Sequence, residues 1–136
     1  MSESNEDYVL DSFALLAFLQ GEKGMTRVQS VLMDVEKGTG KVYFSVINLG
    51  EVLYIVEREK GMVIAQEVLA AIEQLPIDIL PASRETVLEA AHIKANYSIA
   101  YADAFTIVAA MAKRGIIITG DPEFKSVEAL VKIEWI

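Results

Sequence analysis

Apolar residues fall along this chain in two kinds of run: blocks of three or four, and longer stretches where they recur every three or four positions. The first spacing suits buried strands and the second amphipathic helices. Tyr8-Val9-Leu10 is the first block; it meets Asp11-Ser12, a helix-start signal, and a helix through Phe13 to Leu19 that Gly21 and Gly24 close. Met25 to Glu36 sets Val28, Val31, Leu32 and Val35 at helical spacing and ends at Lys37-Gly38. Val42-Tyr43-Phe44 predicts a second strand, with Ser45 capping a helix to about Lys60. Gly61 separates that helix from another, Met62 to Gln74. Ile77 to Leu80, between two prolines, predicts a third strand, and Ser83 caps a helix through about Asn96. A further helix runs from near Tyr101 to Lys113-Arg114-Gly115 and leads into the β-branched strand Ile116-Ile117-Ile118. Asp121-Pro122 predicts a turn, and Leu130 to Trp135 a fifth strand.

Strands alternating with helices predict parallel pairing through right-handed crossovers, with helices on both faces of the sheet. No repeat, linker or low-complexity tract interrupts the pattern. The expectation is one α/β domain over residues 1–136, with residues 1–7 as a flexible N-terminus. A chain of 136 residues buries roughly 70% of the surface its unfolded form exposes.

Composition narrows the chemistry. Hydrophobic residues are 53% of the chain and the mean hydropathy is +0.35, which favours a packed globule over disorder. The absence of cysteine excludes disulfides, thiolate zinc sites and a cysteine nucleophile. The polar, acidic start lacks the features of a signal peptide, and no apolar run approaches the roughly 20 residues that span a bilayer. A cytoplasmic protein with no membrane partner is expected. The net charge of −8 argues against a generic nucleic-acid binder. His92 is the only histidine, so carboxylates are the one reactive group present in quantity.

Four of those carboxylates sit alone in apolar surroundings. Asp11 is the only charge between Tyr8 and Gly21, Glu51 between Ser45 and Val56, and Asp103 between Ser98 and Ala112. Asp121 ends an uncharged stretch from Gly115. An isolated carboxylate in an apolar segment needs hydrogen bonds, a cation or a metal. Helix capping alone would account for Asp11, the helix dipole for Asp103, and a turn before proline for Asp121. Glu51 lies mid-helix beside Ile47, Asn48, Tyr54 and Ile55, where no cap or turn explains it. Asp11 and Asp121 each follow a strand, at the sheet edge where open parallel sheets bind ligands. Asp103 and Glu51 reach that edge only if their helices lean over it. Together the four would repel unless protonated or bridged by a hard cation, and oxygen-only ligation suits Mg²⁺ or Mn²⁺ better than zinc. Such a pocket suggests phosphoryl chemistry.

Val9-Leu10-Asp11-Ser12, Ser45-Val46-Ile47-Asn48-Leu49-Gly50-Glu51-Val52, Tyr101-Ala102-Asp103-Ala104-Phe105 and Ile117-Ile118-Thr119-Gly120-Asp121-Pro122-Glu123-Phe124 resemble, in order and spacing, the acidic motifs of PIN domains. The likeness runs from about Val9 to Ile136, and a chain this compact looks most like the VapC-type toxins of prokaryotic toxin–antitoxin pairs. The resemblance implies a three-layer α/β/α fold with a five-stranded parallel sheet, and Mg²⁺- or Mn²⁺-dependent endoribonuclease activity in which metal-activated water hydrolyses RNA phosphodiesters. It implies a homodimer and a small cognate antitoxin. Asp11, Glu51, Asp103 and Asp121 would be the catalytic, metal-binding acids, with Ser12 and Thr119 as hydroxyl donors beside them.

Two other readings stand beside this one: a non-toxic PIN ribonuclease of RNA processing, and a non-catalytic interaction module whose acids are caps and buried acceptors. A haloacid dehalogenase pattern fits less well, because Phe13 stands where its second aspartate belongs. His92 and Trp135 read as structural residues, and Glu123 as a turn residue with contact to a metal site as the lesser alternative. Val63, Ile64 and Leu69 read equally as core or as a dimer or antitoxin surface.

Overall fold

A computed structural model describes residues 6–136. Five strands form one sheet, β1 (Tyr8–Leu10), β2 (Val42–Ser45), β3 (Asp78–Leu80), β4 (Ile116–Thr119) and β5 (Ile133–Trp135), in the order β3-β2-β1-β4-β5. Every neighbouring pair is parallel, as the strand–helix alternation requires. Six helices cover it: α1 (Ser12–Gln20), α2 (Met25–Glu36), α3 (Val46–Lys60), α4 (Met62–Glu73), α5 (Arg84–Asn96) and α6 (Tyr101–Lys113).

Alternate strand residues feed two cores. Val9, Tyr43 and Ile117 face α5 and α6, packing with Ala90, Ile93, Phe105 and Ile107. Leu10, Phe44 and Ile118 face the other layer, packing with Leu15, Val28, Val52 and Ile72 from α1 to α4. Both faces are therefore buried, and the central strands read as continuous apolar runs for that reason.

The element boundaries follow local chemistry. Gly21 ends α1 in the left-handed conformation (φ 67°), with its N–H turned back to the helix carbonyls. The Ser45 and Ser83 hydroxyls accept from backbone N–H groups at the starts of α3 and α5. Residues 1–5 of the expected flexible N-terminus lie outside the described residues. Asp7 is fastened, its carboxylate accepting from the Lys41 N–H (3.0 Å) and its carbonyl from the Ile116 N–H (2.9 Å).

The region after β4 departs from expectation. The turn at Asp121-Pro122 continues as a 3-10 helix, Pro122–Val127, and β5 starts only at Ile133 rather than Leu130. Pro122 presets the helical φ, and the Asp121 side chain accepts from the Glu123 N–H. Phe124 and Val127, three residues apart, then fall on one side of the 3-10 helix, and both are fully buried. β3 likewise starts one residue late, at Asp78.

Candidate active site

The sheet order reverses between β1 and β4: from β1 the chain works outward through β2 to β3, while β4 and β5 lie on the other side. The carboxyl ends of these two neighbours release Asp11 and Asp121 side by side. α6 and α3 bring Asp103 and Glu51 to the same edge. Asp103 lies near the start of α6, at the third helical position, and feels the charges of Asp11, Asp121, Glu51 and Glu123. The geometry therefore gathers all four lone acids.

Each acid is held by its element. Asp11 is the N-cap of α1 and is 1% exposed; one oxygen accepts the Ala14 N–H (2.8 Å) and the other the Thr119 hydroxyl. The Thr119 oxygen in turn accepts the Asp121 N–H (3.0 Å), so one hydroxyl ties the ends of β1 and β4 together. Ser12 donates its hydroxyl to the half-buried Glu51 carboxylate. Ser12 and Thr119 thus each donate to one of the acids.

Two further residues enter, one that the sequence did not single out and one that it gave only a lesser role at the site. Asn48 is fully buried in α3; its amide donates to the Ala102 carbonyl (3.2 Å) and its oxygen accepts the Thr106 hydroxyl (2.9 Å). This clamp fixes α3 against α6 beside Asp103. The cue was available, since Asn48 is a lone amide in an apolar run, just as Glu51 is a lone acid. The second is Glu123, read from sequence mainly as a turn residue. Carboxylate oxygens of Asp103, Asp121 and Glu123 all lie within 4.8 Å of one another.

Burial and crowding raise the proton affinity of the two most enclosed acids. Asp11 is pushed up to about 7, chiefly by burial, against the opposing pull of the Thr119 and Ala14 donors. Asp103 is pushed up to about 8, first by burial and then by the charges of Asp11, Glu123, Asp121 and Glu51. Among the described residues no lysine, arginine or histidine forms an ion pair with any of the five. The four lone acids, crowded and partly buried with no cation paired to them among the described residues, form a set of hard oxygen ligands that fits a divalent cation of the Mg²⁺ or Mn²⁺ type. Asp11 and Asp103 both sit at α-helix N-termini, whose partial positive charge favours anions.

The other candidates lie apart from this chemistry. His92 is exposed on α5, and the indole N–H of Trp135 donates to Glu128 (3.3 Å). Val63 is 73% exposed and Ile64 38%, so the first turn of α4 is surface rather than core; Leu69 is half-buried. No described helix is long and apolar enough to cross a membrane.

A family model described as the PIN domain matches residues 8–130. No curated protein matches the chain by sequence. Among solved structures it is similar to VapBC2 of Rickettsia felis bound to a promoter DNA fragment, with TM-score 0.71, 17% identity, and coverage of 93% of this chain and 96% of that one. It is similar to DNA-bound VapBC of Salmonella typhimurium, with TM-score 0.72, 14% identity, and coverage of 95% and 97%. It is also similar to VapC20 of Mycobacterium tuberculosis, a sarcin–ricin loop cleaving toxin, with TM-score 0.69, 17% identity, and coverage of 94% and 99%. At these identities the likeness establishes the fold.

Proposed function

We propose, for a chain that belongs to the PIN domain family, that its site is that of a divalent-metal-dependent endoribonuclease, the toxin of a toxin–antitoxin pair. One observation carries the reading. Asp11, Glu51, Asp103 and Asp121 converge, with Glu123, at the switch point of the sheet, and the described residues supply no cation to balance them. Unbridged like charges at this spacing are costly, and a catalytic cation turns that cost into binding affinity.

Asp11, Asp103, Asp121 and Glu51 are the residues that would hold Mg²⁺ or Mn²⁺. Such a cation supplies charge for phosphate oxygens and lowers the pKa of water. The chain's own contribution is placement. Thr119 and the Ala14 N–H orient Asp11, and Ser12 orients Glu51, through hydrogen bonds; a carboxylate oxygen that accepts one such bond keeps a second lone pair for ligation. The N-termini of α1 and α6 favour an anionic phosphodiester at the same edge. Glu51, Asp121 and Glu123 are only half-buried, and an open edge suits a polymer.

RNA as substrate is supported by the sarcin–ricin loop that VapC20 cleaves, and an antitoxin partner by the VapBC complexes of similar fold. The exposed Val63 and Ile64 offer apolar surface for that partner or for a second copy. The test is cleavage of RNA by purified protein with Mn²⁺ or Mg²⁺. Asp11→Asn and Asp103→Asn should each lower the rate at least about 100-fold while the fold stays intact. Absence of cleavage by antitoxin-free wild type, with unchanged cellular effect in both variants, would overturn the reading. An adjacent gene for a small DNA-binding protein separates a toxin from an RNA-processing enzyme.

A further inference from the structure

The N-cap residue of α6 is Ala100, which has no side chain able to cap the helix. Asp103 occupies the third helical position, which serves a different donor. From there an acid commonly reaches back to accept the N–H of the N-cap residue. Asp103 does not do so. The Ala100 N–H is taken instead by the Glu123 carboxylate, which arrives from the 3-10 helix beyond β4. No donor among the described residues hydrogen-bonds the Asp103 carboxylate, although the residue is only 7% exposed.

We propose that Glu123 is a positioning residue, a cap supplied from across the fold that takes the Ala100 N–H and so keeps Asp103 free for the cation. This rests on the metal-site reading for its consequence and on the hydrogen bond for its cause. Without Glu123, the Asp103 carboxylate stands at the helical position from which a side chain can accept the Ala100 N–H. Asp103 would turn toward its own helix, and the site would lose an oxygen ligand. The same contact ties the start of α6 to the segment that carries Asp121, so two acids from distant parts of the chain hold their spacing together.

The experiment is a titration of Mn²⁺ alone, by calorimetry, into wild type, Glu123→Gln, Glu123→Ala and the double variant Ala100→Pro/Glu123→Ala. Gln keeps a carbonyl oxygen to accept the N–H, and its affinity should stay within about twofold of wild type. Ala should bind about tenfold more weakly. Proline suits the φ of −67° at position 100 and removes the N–H altogether, so the double variant should recover most of the loss. Equal weakening by Gln and Ala would make Glu123 a metal ligand and overturn the proposal; so would wild-type affinity in Glu123→Ala. If the proline variant fails to fold, the Gln–Ala contrast still decides.

Amide exchange of residue 100 in metal-free protein reads the cap itself. It should be slow in wild type and in Glu123→Ala, where Asp103 takes over, and at least tenfold faster in Glu123→Ala/Asp103→Ala. Fast exchange in wild type, or in Glu123→Ala alone, would overturn the proposal. If wild type shows the expected exchange but no Mn²⁺ heat, the metal-site reading fails while the cap stands.

Discussion

Thr119 shows how much one side chain carries at this site. Its hydroxyl donates to Asp11 and accepts from the Asp121 N–H, and it is completely buried. Thr119→Val keeps the shape but takes a donor from the buried Asp11 carboxylate and an acceptor from the half-buried Asp121 N–H, a loss of about 1–3 kcal/mol. Thermal melting should show a destabilisation of that order, with weaker Mn²⁺ binding because Asp11 loses its orientation. Asp103→Asn should do the reverse to stability. Its carboxylate is enclosed among four others, and replacing it should stabilise metal-free protein at pH 8 by about 2 kcal/mol while abolishing most of the Mn²⁺ heat. Lone acids were legible in the sequence because each broke an apolar run. The contact of Glu123 with the Ala100 N–H was not, because in the sequence Glu123 reads as a turn residue, with a metal-site contact as the lesser alternative, until its partner at the start of α6 is known.

The α3–α6 junction depends on Asn48, which bonds Ala102 and Thr106 across the gap. Asn48→Ala should cost about 2–3 kcal/mol through the unpaired Thr106 hydroxyl and the lost contacts. It should also weaken Mn²⁺ binding, since it frees the helix that carries Asp103. A change on the exposed face of α3, such as Tyr54→Ala, should leave Mn²⁺ affinity unchanged. Helix limits were readable to within a residue or so because Ser45, Ser83, Gly21 and Gly61 act locally. The 3-10 helix was not, because its form depends on Phe124 and Val127 finding the core beneath β4.

The molecule as a whole carries a net charge of −8, with five of its carboxylates in one cluster. Metal-free protein should therefore lose stability as the pH rises. An unfolded chain releases the protons of Asp11 and Asp103 near pH 4, whereas the folded chain holds them to about 7 and about 8. Between those limits the native state binds more protons, so each unit of pH lowers its stability. Melting temperature should fall from pH 5 to 8.5 without metal, and Mn²⁺ at 100 times its dissociation constant should restore about 2.7 kcal/mol. Mn²⁺ binding at pH 7 should also release protons, visible as a dependence of the calorimetric heat on buffer. A flat pH profile would mean that neither acid is protonated in the folded state.

By itself the sequence determined the alternation of strands and helices, their approximate limits and the four acids that stand alone, because periodicity, caps and charge isolation act over a few residues. Tertiary structure decided what those acids amount to. Only the sheet order, with β4 beside β1, puts Asp11 next to Asp121. Only the packing of α3 against α6, clamped by Asn48, brings Glu51 and Asp103 to them, and only the return of the chain after β4 sets Glu123 on the Ala100 N–H. These are contacts between residues tens of positions apart, which depend on packing rather than on neighbours in the chain.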